Sequence, residues 1–167
     1  MAIPFRGVTH IGETYFITAN CIDKKNILQS DRMAGLLMAV IFHYRDEQNY
    51  LLHEFVIMPN HIHLLVTPVG ARLEKCLQLI KGNFSYRAKK ELLFMWGIWQ
   101  GSYYDRRIRD AVEYQSDRHY IRQNPVVAGR CAKAEDWLYS SAAREGSLDP
   151  VLQGLKPHSK RASRTQS

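Results

Sequence analysis

The amino-acid sequence predicts an α+β domain, an antiparallel sheet with helices on one face. Segments rich in aromatic and β-branched residues alternate with segments whose apolar residues recur every three or four positions. Their order is strand, helix, strand, strand, helix, strand, helix, and only a short turn separates the second strand from the third. This order is typical of the ferredoxin-like arrangement, which we therefore expect, with the third strand in the centre of the sheet.

Four segments are predicted strands. Glu13–Ile22 is the first, and its residues are mostly aromatic or β-branched. Tyr50–Met58 and His61–Pro68 are the second and third, and the Pro59–Asn60 pair between them makes the turn of an antiparallel pair. Phe94–Tyr104 is aromatic and is the predicted fourth strand.

Three segments have helical periodicity. Ser30 or Asp31 can cap the first helix, which extends through an apolar stripe ending near residue 44. Leu73–Leu93 is the second helix, apolar on one side and basic on the other. The third runs from about residue 107 to residue 124, where we expect Pro125 to end it because proline disfavours helix at the preceding residue.

Length and composition indicate one cytoplasmic domain. Of the 167 residues, we assign 1–150 to a single domain and 151–167 to a basic, disordered tail. No apolar stretch reaches the roughly 18 residues that span a bilayer, and the N-terminus lacks the pattern of a signal peptide. The three cysteines form no metal-binding or disulfide pattern, which suits reduced thiols in cytosol. We expect no membrane partner.

The charge balance points to a polyanionic partner. The formal net charge is +7 and the sequence pI is about 9.4, values that favour nucleic acid without excluding an ordinary basic domain. Candidate phosphate contacts lie before the last helix and on the polar side of the second helix: Arg106, Arg107, Arg109, Lys81, Arg87, Lys89 and Lys90. We expect the tryptophans to pack in the core and Asp117 to be a surface carboxylate.

Two histidines stand two positions apart in MPNHIHLLVTP, residues 58–68. Alternate side chains of a strand leave on the same face, so His61 and His63 can offer two imidazole nitrogens to one metal ion. Two structural histidines bonded to backbone carbonyls are the competing interpretation of this pattern alone.

The last helix carries a second pair of candidate residues. Tyr120 and Asn124 are four apart and share a helix face, so an amide oxygen and a phenol hydroxyl can point the same way. An amide with two imidazoles suits Mg²⁺ or Mn²⁺ at least as well as zinc. Tyr120 would then attack a phosphate that the metal holds. Taken singly, Tyr120 fits an aromatic packed on the sheet better and Asn124 fits a turn residue before proline better; only their joint spacing in a basic chain with two alternating histidines makes the chemical interpretation competitive.

Three motifs carry a resemblance that covers about residues 14–141. MPNHIHLLVTP, WQGSYYDRRIRD at 99–110 and YIRQNPVVAGR at 120–130 closely resemble the REP-associated tyrosine transposases, relatives of the single-tyrosine HUH transposases of small bacterial insertion sequences. The chain departs from that pattern at Arg130 and Cys131, where the family more often has leucine and valine.

The resemblance implies metal-dependent nicking and joining of single-stranded DNA near imperfect palindromic hairpins, through a 5′-phosphotyrosine intermediate. It implies that His61, His63 and Asn124 hold Mg²⁺ or Mn²⁺ and that Tyr120 is the nucleophile. We expect hairpin DNA as partner, a nucleoid-associated location and no organic cofactor; monomer and homodimer stay open. The alternative is a non-catalytic hairpin-binding protein with the same fold. A histidine-triad hydrolase is excluded because Leu65 occupies the third position.

Overall fold

The computed structural model describes residues 7–151, so all but the first residue of the predicted tail lies outside the described chain. Within this range, four strands and three α-helices follow the predicted order. Their bounds are β1 Tyr15–Asn20, α1 Asp31–Asp46, β2 Tyr50–Ile57, β3 His61–Pro68, α2 Leu73–Leu92, β4 Tyr104–Arg107 and α3 Ala111–Val127. No helix of residues 7–151 is long and apolar enough to cross a membrane.

The strands form one sheet in the order β2-β3-β1-β4, and every neighbouring pair is antiparallel. This confirms the predicted ferredoxin-like arrangement. It also places β3 in the interior of the sheet, flanked by β1 and β2. The register pairs Thr18 with His63 and Asn20 with His61, so these four side chains share one face.

The two faces of the sheet carry different helices. The larger buried cluster joins α1 and α2 to the side of β1 that holds Ile17 and the side of β3 that holds Leu64. This is the predicted layer of helices on one face. A smaller cluster on the opposite face packs Ile121 of α3 against Phe16 and Leu65. The last helix therefore lies on the same face as the two histidines.

Side-chain caps begin two of the helices. The Ser30 hydroxyl accepts the backbone N–H of Met33 at 3.2 Å, which confirms one of the two predicted caps of α1. The Asp110 carboxylate accepts the N–H of Glu113 at 2.8 Å at the start of α3. This cap sets where α3 begins, and therefore which turn of the helix carries Tyr120.

The predicted bounds of two elements, the fourth strand and the last helix, were wrong. The fourth strand is Tyr104–Arg107 and not Phe94–Tyr104. Ile98 in the earlier stretch is buried, and Phe94, Trp99 and Tyr103 pack against the α1–α2 core, so its aromatic residues serve packing. Within the described residues before Tyr104, this stretch makes one isolated bridge, at Trp99. Helix α3 begins at Ala111, not near residue 107, and continues past Pro125 to Val127. A proline so near the end removes one hydrogen bond, and the helix completes its last turn.

The segment after α3 covers the outer edge of β2. The Trp137 indole donates to the Ile57 carbonyl at 3.0 Å, and the Ile57 N–H donates to the Tyr139 carbonyl at 2.8 Å. Farther along the edge, the Asp149 N–H donates to the Leu52 carbonyl at 2.9 Å. These bonds occupy backbone groups that an open edge would leave available to another chain.

Candidate active site

His61 and His63 lie side by side on the α3 face of the sheet. Their ring centroids are 4.8 Å apart, as expected for alternate residues of one strand. His63 is 5 % exposed, and His61 is half-buried. The intervening Ile62 is fully buried in the other face. The predicted common orientation of the two imidazoles is therefore present in the fold.

Each imidazole is held through its Nδ1 atom. Thr18 Oγ1 lies 2.9 Å from Nδ1 of His63, and Asn60 Oδ1 lies 2.6 Å from Nδ1 of His61. An amide oxygen only accepts, so Nδ1 of His61 carries the proton and Nε2 has the lone pair. Hydrogen bonds of this kind fix the ring orientation of a histidine whose other nitrogen binds a metal.

Asn124 and Tyr120 of α3 reach the same place. The Asn124 side chain is hydrogen-bonded to the imidazole of His61. The Tyr120 ring centroid is 5.4 Å from that of His63, edge to face, and Tyr120 is 52 % exposed. The fold thus brings together the four residues that the sequence singled out, and the tyrosine is open to a large substrate.

Both histidines favour the neutral state. Burial, with a smaller contribution from neighbouring His61, lowers the pKa of His63 to about 3. Burial also lowers the pKa of His61, with a contribution from the charge of Lys24, while the hydrogen bond between His61 and Asn124 opposes the shift. Because a metal binds only the unprotonated ring, the site has two available imidazole ligands at neutral pH.

Phe16 of β1 forms the floor between the histidines and the tyrosine. Its ring centroid is 5.3 Å from that of His63 and 6.0 Å from that of Tyr120. The guanidinium carbon of Arg106 lies 5.5 Å from the same ring centroid. The aromatic floor limits how far the tyrosine ring can move toward the sheet.

Arg106 ties β4 to α3. Its guanidinium donates to both carboxylate oxygens of Asp117 at 2.8 and 2.7 Å, and it also pairs with Glu113. Asp117, which we expected at the surface, is only 9 % exposed. That prediction was wrong because the i, i+4 spacing of Glu113 and Asp117 places both acids on the helix face that meets the arginine.

A buried carboxylate ties the other side of α3 to β2. The Glu54 side chain is 3 % exposed and accepts from Arg118 Nε at 2.7 Å and from Arg122 Nε at 3.1 Å. These arginines also pair with exposed Glu145, at 3.6 and 3.1 Å. Ion pairs on both sides therefore set the position of α3, and of Tyr120, relative to the histidine strand.

The remaining predicted DNA contacts are scattered. Arg109 is exposed and lies 3.6 Å from Glu113. Arg107 is also exposed, but it lies opposite Tyr15 in the strand register, which places its side chain on the α1–α2 face. Helix α2 also lies on that face, away from the histidines. Its basic residues do not join the site, and their role in DNA binding stays a prediction: Lys81, Arg87, Lys89 and Lys90.

The structure contradicts the prediction for one aromatic residue and shows three residues beside the histidines that the sequence analysis does not predict. Trp96 is 73 % exposed, so the expectation of core packing was wrong for it, whereas Trp99 packs against the core as expected. Thr18 and Phe16 had no signal in the sequence because strand register decides what they face. Asn60 lies within the 58–68 motif, directly before His61, where the sequence predicts only a turn residue.

A sequence profile of the family described as "Transposase IS200 like" matches residues 12–124, more than half of the chain. The chain belongs to the IS200-like transposase family. The matched range begins before β1 and ends at Asn124, so it contains both histidines and Tyr120.

Individual relatives agree with this membership. A REP-associated tyrosine transposase from Escherichia coli is 29 % identical over 153 residues, which are 87 % of this chain and 83 % of the relative. A relative from Haemophilus influenzae is 28 % identical over 159 residues, covering 80 % of this chain and 82 % of the other. The resemblance to REP-associated tyrosine transposases is therefore confirmed.

A solved structure supports the fold of this family member. It is described as a REP-associated tyrosine transposase bound to a REP hairpin, and it superposes with a TM-score of 0.73 at 23 % sequence identity. The superposition covers 96 % of each chain.

Proposed function

We propose that this transposase-family protein nicks and rejoins single-stranded DNA beside REP-type palindromic hairpins, with Tyr120 as the nucleophile. The observation that carries the proposal is the convergence of His61, His63, Asn124 and Tyr120 on one face of the sheet. Family membership supports the transposase chemistry, and the solved relative described with a REP hairpin supports the choice of DNA.

The residues present fit a divalent metal ion. The Nδ1 atoms of His61 and His63 are hydrogen-bonded, so their Nε2 atoms would bind the ion, and the Asn124 amide beside His61 would supply an oxygen. Residues 7–151 contain no group of three His, Cys, Asp or Glu side chains suited to a metal. Two imidazoles and one amide oxygen suit Mg²⁺ or Mn²⁺ at least as well as zinc, which more often takes a further histidine, cysteine or carboxylate. Such an ion would supply Lewis-acid stabilisation of charge on the scissile phosphate.

The chain's own residues perform the transfer. The Tyr120 hydroxyl loses its proton and attacks phosphorus, and the bond from phosphorus to the 3′-oxygen breaks. That oxygen leaves as a 3′-hydroxyl, while the 5′-phosphate stays on Tyr120 as a phosphodiester. Since the ester keeps the energy of the broken bond, attack by a second 3′-hydroxyl rejoins DNA without ATP. The ring of Phe16 and the anchored helix α3 restrict the movement of the phenol.

A denaturing gel tests this chemistry. The substrate is a labelled single-stranded hairpin oligonucleotide copied from palindromes in the genomic neighbourhood of the gene, with Mg²⁺, Mn²⁺ or chelator. We expect a metal-dependent nick and a covalent adduct whose mass maps to Tyr120. Y120F should bind the hairpin and form no adduct.

The matched control is Y104F. Tyr104 is 55 % exposed, and its pairing with Thr18 places it on the same sheet face. We expect Y104F to form the adduct. Adduct formation by Y120F would refute the assignment of the nucleophile. Binding without any nick in either metal would identify the protein as a non-catalytic hairpin binder.

A further inference from the structure

A cavity of about 340 Å³ opens beside the candidate active site, at the lower end of the sizes typical of ligand pockets. It lies between the turn before His61, the chain just after α3 and the start of the segment along β2. Polar and aromatic side chains converge on it: Gln29, Asp31, Arg130, Asp136, Trp137 and Tyr139.

Hydrogen bonds fix the walls of the cavity. The Trp137 indole is bound to the Ile57 carbonyl at 3.0 Å, so its ring cannot swing out freely. The Tyr139 hydroxyl donates to Asp31 at 2.6 Å, and the Leu28 N–H donates to the Pro59 carbonyl at 2.8 Å. A preformed pocket loses little conformational entropy when a ligand enters it.

The cavity adjoins both elements that carry the proposed metal ligands. Pro59 is one of its walls and precedes His61 by two residues. Arg130 is another wall, and its N–H donates to the carbonyl of Pro125, the residue after Asn124. A nucleotide next to a phosphate held at the histidines would therefore have this cavity within reach.

The lining suits a base better than a phosphate. Its two carboxylates, Asp31 and Asp136, outnumber its one guanidinium, Arg130, and they accept hydrogen bonds from exocyclic amino groups, while the guanidinium can donate to a ring nitrogen or carbonyl oxygen of a base. The Trp137 ring offers a surface of the kind on which unpaired bases stack. Adenine, cytosine and guanine carry such an amino group, whereas thymine does not.

We propose that this cavity binds one unpaired, amino-bearing nucleobase of the DNA strand and so selects the nucleotide beside the cleaved phosphate. The inference rests on the proposed function, since it presumes that hairpin DNA is the ligand. It adds a base-reading site that the metal ligands and the tyrosine do not supply.

Equilibrium binding in chelator tests the inference apart from catalysis. The probe is the hairpin oligonucleotide described above, with each unpaired flanking nucleotide replaced in turn by an abasic site or by thymine. We expect one position at which either change weakens binding about 10- to 100-fold. D136A should weaken binding to the parent hairpin by a similar factor and cause no further loss on the abasic probe.

Two further variants make the result specific. Glu135 is the neighbouring exposed carboxylate and does not line the cavity, so E135A should bind like the wild type. D136N gains an amide donor and should reduce the discrimination against thymine. Equal affinity for all of the substituted probes, or an equal loss of affinity for D136A on the parent and abasic probes, would refute the proposal that the cavity binds a base. Either result would leave the proposed function intact. If wild-type protein bound no hairpin at all, both proposals would fail.

Discussion

Removal of the Glu54 charge should loosen α3 from the sheet. Glu54 is 3 % exposed and accepts from two arginines of α3. Removing one partner of a fully buried ion pair costs about 3–5 kcal/mol. Arg118 and Arg122 are 37 % and 17 % exposed, so water can partly replace the lost partner. We therefore expect E54Q to lose about 2–3 kcal/mol of unfolding free energy.

Urea unfolding measures this loss. With a denaturant slope of about 2 kcal/mol per molar, the midpoint of E54Q should fall by roughly 1 M. Hydrogen exchange should show the largest loss of protection in α3, because the helix loses the ion pairs that bind it to β2.

The matched control removes the other acid that contacts the same arginines. Glu145 is 70 % exposed, and such surface pairs add little stability. The unfolding curve of E145Q should overlay that of the wild type. Coincident curves for E54Q and E145Q would refute the conclusion that the buried carboxylate anchors α3.

Two other predictions concern the histidines. T18V and N60A remove the Nδ1 partners of His63 and His61, and each should weaken Mn²⁺ binding about 10- to 100-fold by calorimetry. N83A, in α2 on the other face, is the control, and unchanged affinity in both test variants would contradict the positioning role. Acid should destabilise the metal-free protein. In the unfolded chain His63 takes up a proton near pH 6.5, whereas in the folded protein its pKa is lowered to about 3 and it stays neutral. The unfolding free energy present above pH 6.5 should thus fall by about 1.4 kcal/mol per pH unit toward pH 4. Urea unfolding of H63Q should show a weaker dependence of this free energy on pH. An equal pH dependence in H63Q and wild type would refute the lowered pKa of His63.

Much of the fold followed from local patterns. The bounds of β3 were predicted correctly, because both signals that define it, the His–x–His alternation and the Pro59–Asn60 turn, lie within a few residues of each other. The fourth strand was misplaced because aromatic residues favour a strand and a packed irregular segment alike. Its actual position depends on pairing with β1, nearly ninety residues earlier in the chain.

The sequence by itself determined which side chains share a face of one element: His61 with His63 through a period of two, and Tyr120 with Asn124 through a spacing of four. Only the tertiary structure decided that α3 packs on the histidine face and that Thr18 supports His63. The same is true of the buried role of Glu54. Periodicity fixes the direction of a side chain relative to its own helix or strand. Which element covers that side chain depends on strand register and packing between distant segments, and no local pattern contains that information.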